Sequence, residues 1–301
     1  MFEVSEEFAA MMIAREGEPA RRWVAQLPST VAELLEAWRL RLDGAPLYGM
    51  CAVVLRVRTE EGRGALKVGW VDDETRAEPL GLRAWAGRGA VALLRSEERV
   101  GAMLLERLDE RRTLLDVPID EALDIAAVIL AELRVPAVEG LNNAGDTAAR
   151  WGKEFLDDWK RLDRPCSEEM LSRAVELCEE LATCAVEPST LHGDFHYANI
   201  LGRGERAWAA IDPKPLAGDP AYEVVPLLRN RWAEIRGDDP TGAAVRRRVL
   251  RFAELASLDP DTTYKWCLVR TVDDAMWFQE HGYPDRAEIA WDIARSMMTG
   301  P

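Results

Sequence analysis

The sequence predicts an α+β protein of two lobes: a small antiparallel-sheet N-lobe, residues 1–107, and a larger, mostly helical C-lobe, residues 108–301. Three observations predict it. Val- and Leu-rich strand patterns with turn residues between them cluster before residue 108, whereas helical periodicity dominates after residue 120. A length of 301 residues suits about two core-bearing units. The charge divides at the same place: residues 1–107 carry 15 Lys+Arg against 17 Asp+Glu, and the remainder 23 against 36.

Residues 6–42 read as two helices separated at Pro28-Ser29-Thr30, where Ser29 or Thr30 can cap the second helix ahead of Glu33. Val31, Leu34, Leu35, Trp38 and Leu42 form its apolar stripe. Residues 47–57 and 64–70 read as strands joined at Glu60-Glu61-Gly62-Arg63. Gly44 and Gly49 sit where a nucleotide-covering loop belongs, without a complete GxGxxG. A helix follows from about Asp72-Asp73 to Trp85. Pro79 is tolerated only in a first turn, so the regular part can begin near Glu78. Gly87-Arg88-Gly89 turns the chain into a strand over 90–94, and residues 102–108 form the last strand and the crossover. Helical patterns then cover 121–133, 147–162 and 167–185, and later 220–236, 240–258, 261–281 and 285–298; Trp266 and Trp277 read as core.

Composition narrows the function. With 48% hydrophobic and 30% charged residues the chain reads as globular and soluble. Its apolar runs are far shorter than the roughly 20 residues a membrane span needs, and the acidic start MFEVSEEFAAMM is the wrong flank for a secretory signal. Cytoplasm is the expected location. Cys51, Cys166, Cys178, Cys184 and Cys267 form no CxxC pair, so neither a zinc knuckle nor a disulfide framework is indicated. A net charge of −15, concentrated in the C-lobe, repels nucleic acid and favours a cationic ligand.

The stretch LHGDFHYANILGRGERAWAAIDPKPLAGDPAYE, residues 191–223, carries the chemistry. His192, Asp194 and Asn199 keep the spacing of a kinase catalytic loop, and an apolar run over 207–211 delivers Asp212 at a strand end. In phosphoryl transfer from ATP, the first Asp accepts the proton of the acceptor hydroxyl. The Asn oxygen and the second Asp hold the Mg²⁺ that bridges the phosphates. Lys67, in Ala-Leu-Lys-Val, reads as the strand lysine of the nucleotide site, a point charge for the α- and β-phosphates. Glu74 and Glu78, four residues apart, share a helix face from which either can pair with it.

HGDxHxxN followed by IDP resembles the motif of the aminoglycoside phosphotransferases, whose fold is that of the protein kinases. GLRAWxGxGxVxLL, LLERL, His196-Tyr197 and IDPKPLAGDPAYE resemble the branch with streptomycin 6-phosphotransferases and hydroxyurea phosphotransferases. The resemblance runs from Arg15 to the C-terminal helices. It implies a bilobal protein-kinase-like fold, ATP and Mg²⁺ as cofactors, and a small cationic acceptor, most readily streptomycin, whose phosphorylation confers resistance. Hydroxyurea, a basic peptide antibiotic or another small hydroxylated metabolite are the alternatives. It implies an adenine contact through the backbone of Glu106 to Leu108, and Glu74 ahead of Glu78 as the partner of Lys67. Asp157, Asp158, Asp273, Asp274 and Glu280 fall where acceptor ammonium or guanidinium groups are gripped. His192 and His196 support the loop, and Asp219 braces it. The expected state is a monomer with no nucleic-acid or membrane partner.

Two other classes are disfavoured. Gly193 replaces the Arg of a protein kinase's HRD, Pro213-Lys214 replace the Phe-Gly after its metal Asp, and Asp212 and Asp219 are only seven residues apart. That leaves no activation segment on which a peptide could dock. A non-catalytic nucleotide-binding pseudokinase would not need Lys67, Asp194, Asn199 and Asp212 together.

Overall fold

The computed structural model describes residues 2–73, 75–184, 187–237, 239 and 241–298. They divide into two compact units: Met1–Gly87 with Val91–Leu108, and Arg88–Ala90 with Asp109–Pro301. Among the described residues no helix is long and apolar enough to cross a membrane.

The first unit opens with α1 (Glu6–Glu16) and α2 (Glu18–Ala37). The break between them falls at Gly17, not at Pro28-Ser29-Thr30. Gly17 takes φ 69°, a left-handed value glycine adopts without steric cost, and Ser5 caps α1 through Phe8 N. Pro28 is accommodated inside α2 because the apolar stripe Leu27, Val31 and Leu34 stays in phase across it and is buried. Packing outweighs the lost backbone hydrogen bond.

The sheet comprises β1 (Arg41–Leu42), β2 (Leu47–Tyr48), β3 (Ala52–Arg58), β4 (Arg63–Gly69), β5 (Leu93–Glu97) and β6 (Ala102–Glu106). Its order is β1-β3-β4-β6-β5, with β2 folded onto β3 and these strand pairs antiparallel. The predicted strand over 47–57 is therefore two strands. Leu47 pairs with Val54 and Tyr48 with Val53, and Gly49 N donates to Ala52 O at 2.9 Å to close the turn. Phe8, Met12 and Leu27 pack with Val53, Leu55, Leu66 and Val68 in one core. Between β4 and β5 a 3₁₀ turn, Thr75–Ala77, leads into α3 (Glu78–Trp85).

In the second unit β7 (Asp109–Thr113) precedes α4 (Ile119–Leu133), α5 (Ala144–Arg161) and α6 (Glu168–Ala182). The short strands β8 (Ser189–Leu191), β9 (Ile200–Arg203), β10 (Ala207–Ala210) and β11 (Leu216–Gly218) form two small sheets, β10-β9-β7 and β11-β8. Ala90 does not start a strand with 91–94. It bridges Ala210 in parallel, and the neighbouring Gly89 O accepts from Ala210 N at 2.8 Å. The single helix predicted over 220–236 is a 3₁₀ turn (Pro220–Glu223), α7 (Val224–Asn230) and α8 (Trp232–Arg236). Arg231 interrupts it at φ −134°, its guanidinium held by the carbonyls of Leu114 and Val117. The chain ends in α9 (Ala243–Leu255), α10 (Pro260–Glu280) and α11 (Pro284–Met297). Of these, α10 is the central post, packed against α5, α6, α7, α9 and α11.

Candidate active site

In the first unit, Lys67 stands in the middle of β4, paired with Val54 on one side and Met103 on the other. Its Nζ lies 2.7 Å from both oxygens of Glu78, the first residue of α3, and the two side chains are only 9% and 3% exposed. Such a buried pair adds little net stability; its effect is to fix where the ammonium sits. Glu78 thus meets the lysine that the resemblance had given first to Glu74, which lies outside the described residues. The helix starts so late because Pro79 must stand in a first turn, and this places Glu78 at the helix mouth. Glu106 ends β6, its N–H donating to Ala92 O and its carboxylate accepting from Ala92 N, while Leu108 is buried.

In the second unit, β8 and β11 align Leu191 with Leu216, and the ladder continues as Lys214 N donates to His192 O at 2.8 Å. Gly193 follows at φ 80°. A side chain there would collide with the Lys214 carbonyl, so the turn that presents Asp194 admits only glycine. Both polar groups of the Gly193 backbone are held. Its N–H donates to Glu223 Oε1 at 2.9 Å, and its carbonyl accepts from Arg270 Nη2 at 2.7 Å. Arg270 also donates to Tyr222 O at 2.8 Å and lies 4.0 Å over the Tyr222 ring.

His192 is buried and neutral. Its Nε2 donates to Ile211 O at 3.0 Å, leaving Nδ1 to accept from Asp194 N at 3.3 Å, and burial pulls its pKa down to about 4. It therefore links the segment before Asp194 to the one before Asp212. Asp194 itself keeps 30% of its side chain exposed, with His196 Nε2 at 3.7 Å. Burial also lowers the pKa of His196, Asp194 pulling it up and Arg229 pushing it down. Asn199 donates from Nδ2 to Asp194 O at 3.0 Å, so Oδ1 is the acceptor end of its amide. Ile211 N bonds Asn199 O at 2.8 Å, and the next residue, Asp212, is exposed at φ 58°. An amide oxygen and a carboxylate on two stitched segments suit a hard divalent cation that takes its other ligands from phosphate and water.

Asp219 does not brace this loop. Its carboxylate accepts from Ala221 N at 2.8 Å and caps its own 3₁₀ turn. Glu223, four residues on, takes the bracing position because the turn swings it beneath Gly193. Glu223 is fully buried, its pKa pushed up to about 7 by burial, against the pull of Arg270 and the loop N–H groups. Its Oε2 has no hydrogen-bond partner among the described residues. The spacing of the motif does not disclose Glu223 or Arg270. A signal was available: each is a lone charge in an apolar run, Tyr-Glu-Val-Val and Leu-Val-Arg-Thr-Val, where only a paired charge is tolerated.

The five carboxylates predicted for the acceptor separate. Asp157 is 87% exposed, 3.9 Å from Lys160. Asp158 and Glu280 both bind Arg161, at 2.7 Å and 2.6 Å, tying α5 to α10. Asp274 pairs with Arg229 at 3.2 Å, and this pair borders His196 through the charge of Arg229. Asp273 is half-buried, its pKa pushed up to about 8 by burial and then by Asp274, with Arg150 and Arg270 opposing. Trp266 is core, but Trp277 is not. It is 48% exposed, stacked on His281 at 4.1 Å, since it falls on the outer face of α10.

A family model described as aminoglycoside/hydroxyurea antibiotic resistance kinase matches residues 37–282. The chain is 38% identical over 302 residues to a streptomycin 6-kinase of Streptomyces glaucescens, covering 99% of this chain and 97% of that one. It is 38% identical over 291 residues to a hydroxyurea phosphotransferase of Kitasatospora aureofaciens, covering 93% and 81%. Among solved structures it resembles aminoglycoside phosphotransferase APH(4)-Ia in ternary complex with ADP and hygromycin B. The TM-score is 0.63 at 17% identity, with 90% and 99% of the two chains covered. That likeness fixes the fold as kinase-like.

Proposed function

The chain belongs to the aminoglycoside/hydroxyurea antibiotic resistance kinase family and is a small-molecule phosphotransferase, and we propose that it phosphorylates streptomycin at the 6-hydroxyl, using Mg²⁺-ATP. The observation that carries this reading is the end-to-end match to a streptomycin 6-kinase. The charge of the second unit supports it, because the two guanidinium groups of streptomycin suit an acidic surface better than neutral hydroxyurea does. The equal identity to a hydroxyurea phosphotransferase keeps that acceptor as the second reading. The reaction belongs in the cytoplasm, where ATP is available, and needs no second copy of the chain.

In this reading Asp194 accepts the proton of the attacking hydroxyl. The acceptor oxygen bonds the γ-phosphorus, and the bond to the leaving ADP oxygen breaks with its electron pair on ADP. Asn199 and Asp212 would hold the divalent ion, which would supply positive charge against the phosphates, and Lys67, fixed by Glu78, serves the nucleotide phosphates. The clamp of Glu223 and Arg270 on Gly193 keeps the base aimed, as required where small misplacements cost large factors in rate. Asp273 and Asp274 are the acceptor-facing carboxylates; Asp158 and Glu280, joined by Arg161, tie helices together.

The test is a coupled ADP-release assay with Mg²⁺-ATP against streptomycin, a 2-deoxystreptamine aminoglycoside, hydroxyurea and a basic peptide antibiotic, with product mass measured. One added phosphate on streptomycin alone is expected. Turnover of hydroxyurea without streptomycin would replace the acceptor, and silence on all four would remove the antibiotic from the reading.

A further inference from the structure

We propose that Lys214 is a catalytic residue whose ammonium contacts the phosphoryl group as it passes from ATP to the acceptor. The proposal rests on the phosphotransfer reading above and adds to it a group outside the Asp194–Asn199–Asp212 spacing.

The first support is compositional. Of 38 basic residues only five are lysine: Lys67, Lys153, Lys160, Lys214 and Lys265. Lys160 and Lys265 form ion pairs within the helical surface, and Lys153 is exposed on α5. Lys67 stands in the nucleotide-binding strand, and Lys214 lies two residues beyond Asp212. A chain that uses arginine for nearly every other cation places two of its few lysines in the catalytic segments. Lysine differs there by being a compact, strongly hydrated point charge on a flexible stem, suited to following a moving phosphoryl group.

The second support is geometric. The β8–β11 ladder continues through the bond from Lys214 N to His192 O, so Lys214 lies directly against Gly193. Its Cβ is 3.3 Å from the point where a Gly193 side chain would begin. The root of the Lys214 side chain thus lies beside the residue that precedes Asp194, and Lys214 is an exposed residue. A cationic acceptor gains nothing from a lysine beside the base, and residues 108–301 hold 36 acids against 23 bases, Lys214 among them. The anion that arrives next to Asp194 is the transferring phosphoryl group, whose charge spreads over its equatorial oxygens as one P–O bond forms and the other breaks. A cation that reaches that group acts on the transition state more than on bound ATP.

Lys214→Met and Lys214→Arg test this. The Met variant is expected to lose roughly 10²–10³ in kcat, with KM for ATP and for streptomycin unchanged, and the Arg variant to recover part of the loss. A binding measurement separates charge from structure. Calorimetry should show Lys214→Met binding Mg²⁺-ADP as the wild type does but losing affinity for ADP with aluminium fluoride, a mimic of the transferring group. Turnover of the Met variant within about tenfold of wild type overturns the proposal. So does an equal loss of affinity for ADP with and without aluminium fluoride alongside a lowered melting temperature, which would make Lys214 a structural prop. If wild-type protein leaves streptomycin unmodified, the acceptor reading falls instead, and the aluminium fluoride comparison, which needs no acceptor, still decides on Lys214.

Discussion

The loop that carries Asp194 and the carboxylates of α10 present the same chemical groups in opposite states of constraint. Around Asp194 the backbone is fastened on every side: Glu223 and Arg270 hold Gly193, His192 bridges to Ile211, and Asn199 holds the Asp194 carbonyl. The Asp194 carboxylate itself stays partly open to solvent. Along α10 the carboxylates are instead constrained by their own neighbours. Asp274 is taken by Arg229, Glu280 by Arg161, and Asp273 is crowded by burial and by Asp274. A reaction centre requires fixed positions, which backbone hydrogen bonds supply. A surface that receives a cation requires charge in reserve, which a carboxyl held partly protonated near neutral pH can release on binding.

That contrast predicts the largest effect at Asp194. Asp194→Asn should lower turnover by roughly 10²–10⁴ and leave Mg²⁺-ATP affinity intact, measured by ADP release and by calorimetry on the same preparation. A parallel loss of nucleotide binding would mean that the carboxylate serves the metal or the phosphates and not the acceptor hydroxyl.

Next in size is the clamp. Arg270→Met leaves Glu223 buried opposite no cation, which should destabilise the protein by about 3–5 kcal/mol in urea unfolding. Turnover should fall further than the folded fraction explains. A variant as stable as wild type would show that Arg270 is not the counter-charge that the loop depends on.

The smallest effect, with a definite sign, is at Asp273. Its folded pKa, about 8, lies above the ordinary 3.8. The stability linked to its proton is therefore complete below about pH 4 and lost as pH rises through 8. Asp273→Asn should melt above wild type at about pH 9, with the gap closing toward pH 4. The same substitution should raise KM for streptomycin while leaving KM for ATP alone. A melting difference independent of pH would show that the carboxyl is not held protonated in the native state.

The sequence by itself determined what is local. Asp194, Asn199 and Asp212 are placed by short spacings within one strand–loop–strand segment. The alternation around Lys67 identifies its strand, and the helical stripes locate α4, α5, α6 and α10 to within a few residues. Tertiary structure decided what depends on partners far along the chain. Pro28 reads as a helix break until the buried stripe of α2 carries the helix through it. Glu74 and Glu78 share a face in sequence, and the late start of α3 decides that Glu78 reaches Lys67. Asp219 and Glu223 are both acids near the loop, yet the 3₁₀ turn between them directs the second to Gly193. Arg270 reaches that glycine across 77 residues of chain. Periodicity reports which face of an element is apolar. It carries no information about which distant backbone group a buried charge will meet, because that depends on how helices pack and not on how they are spelled.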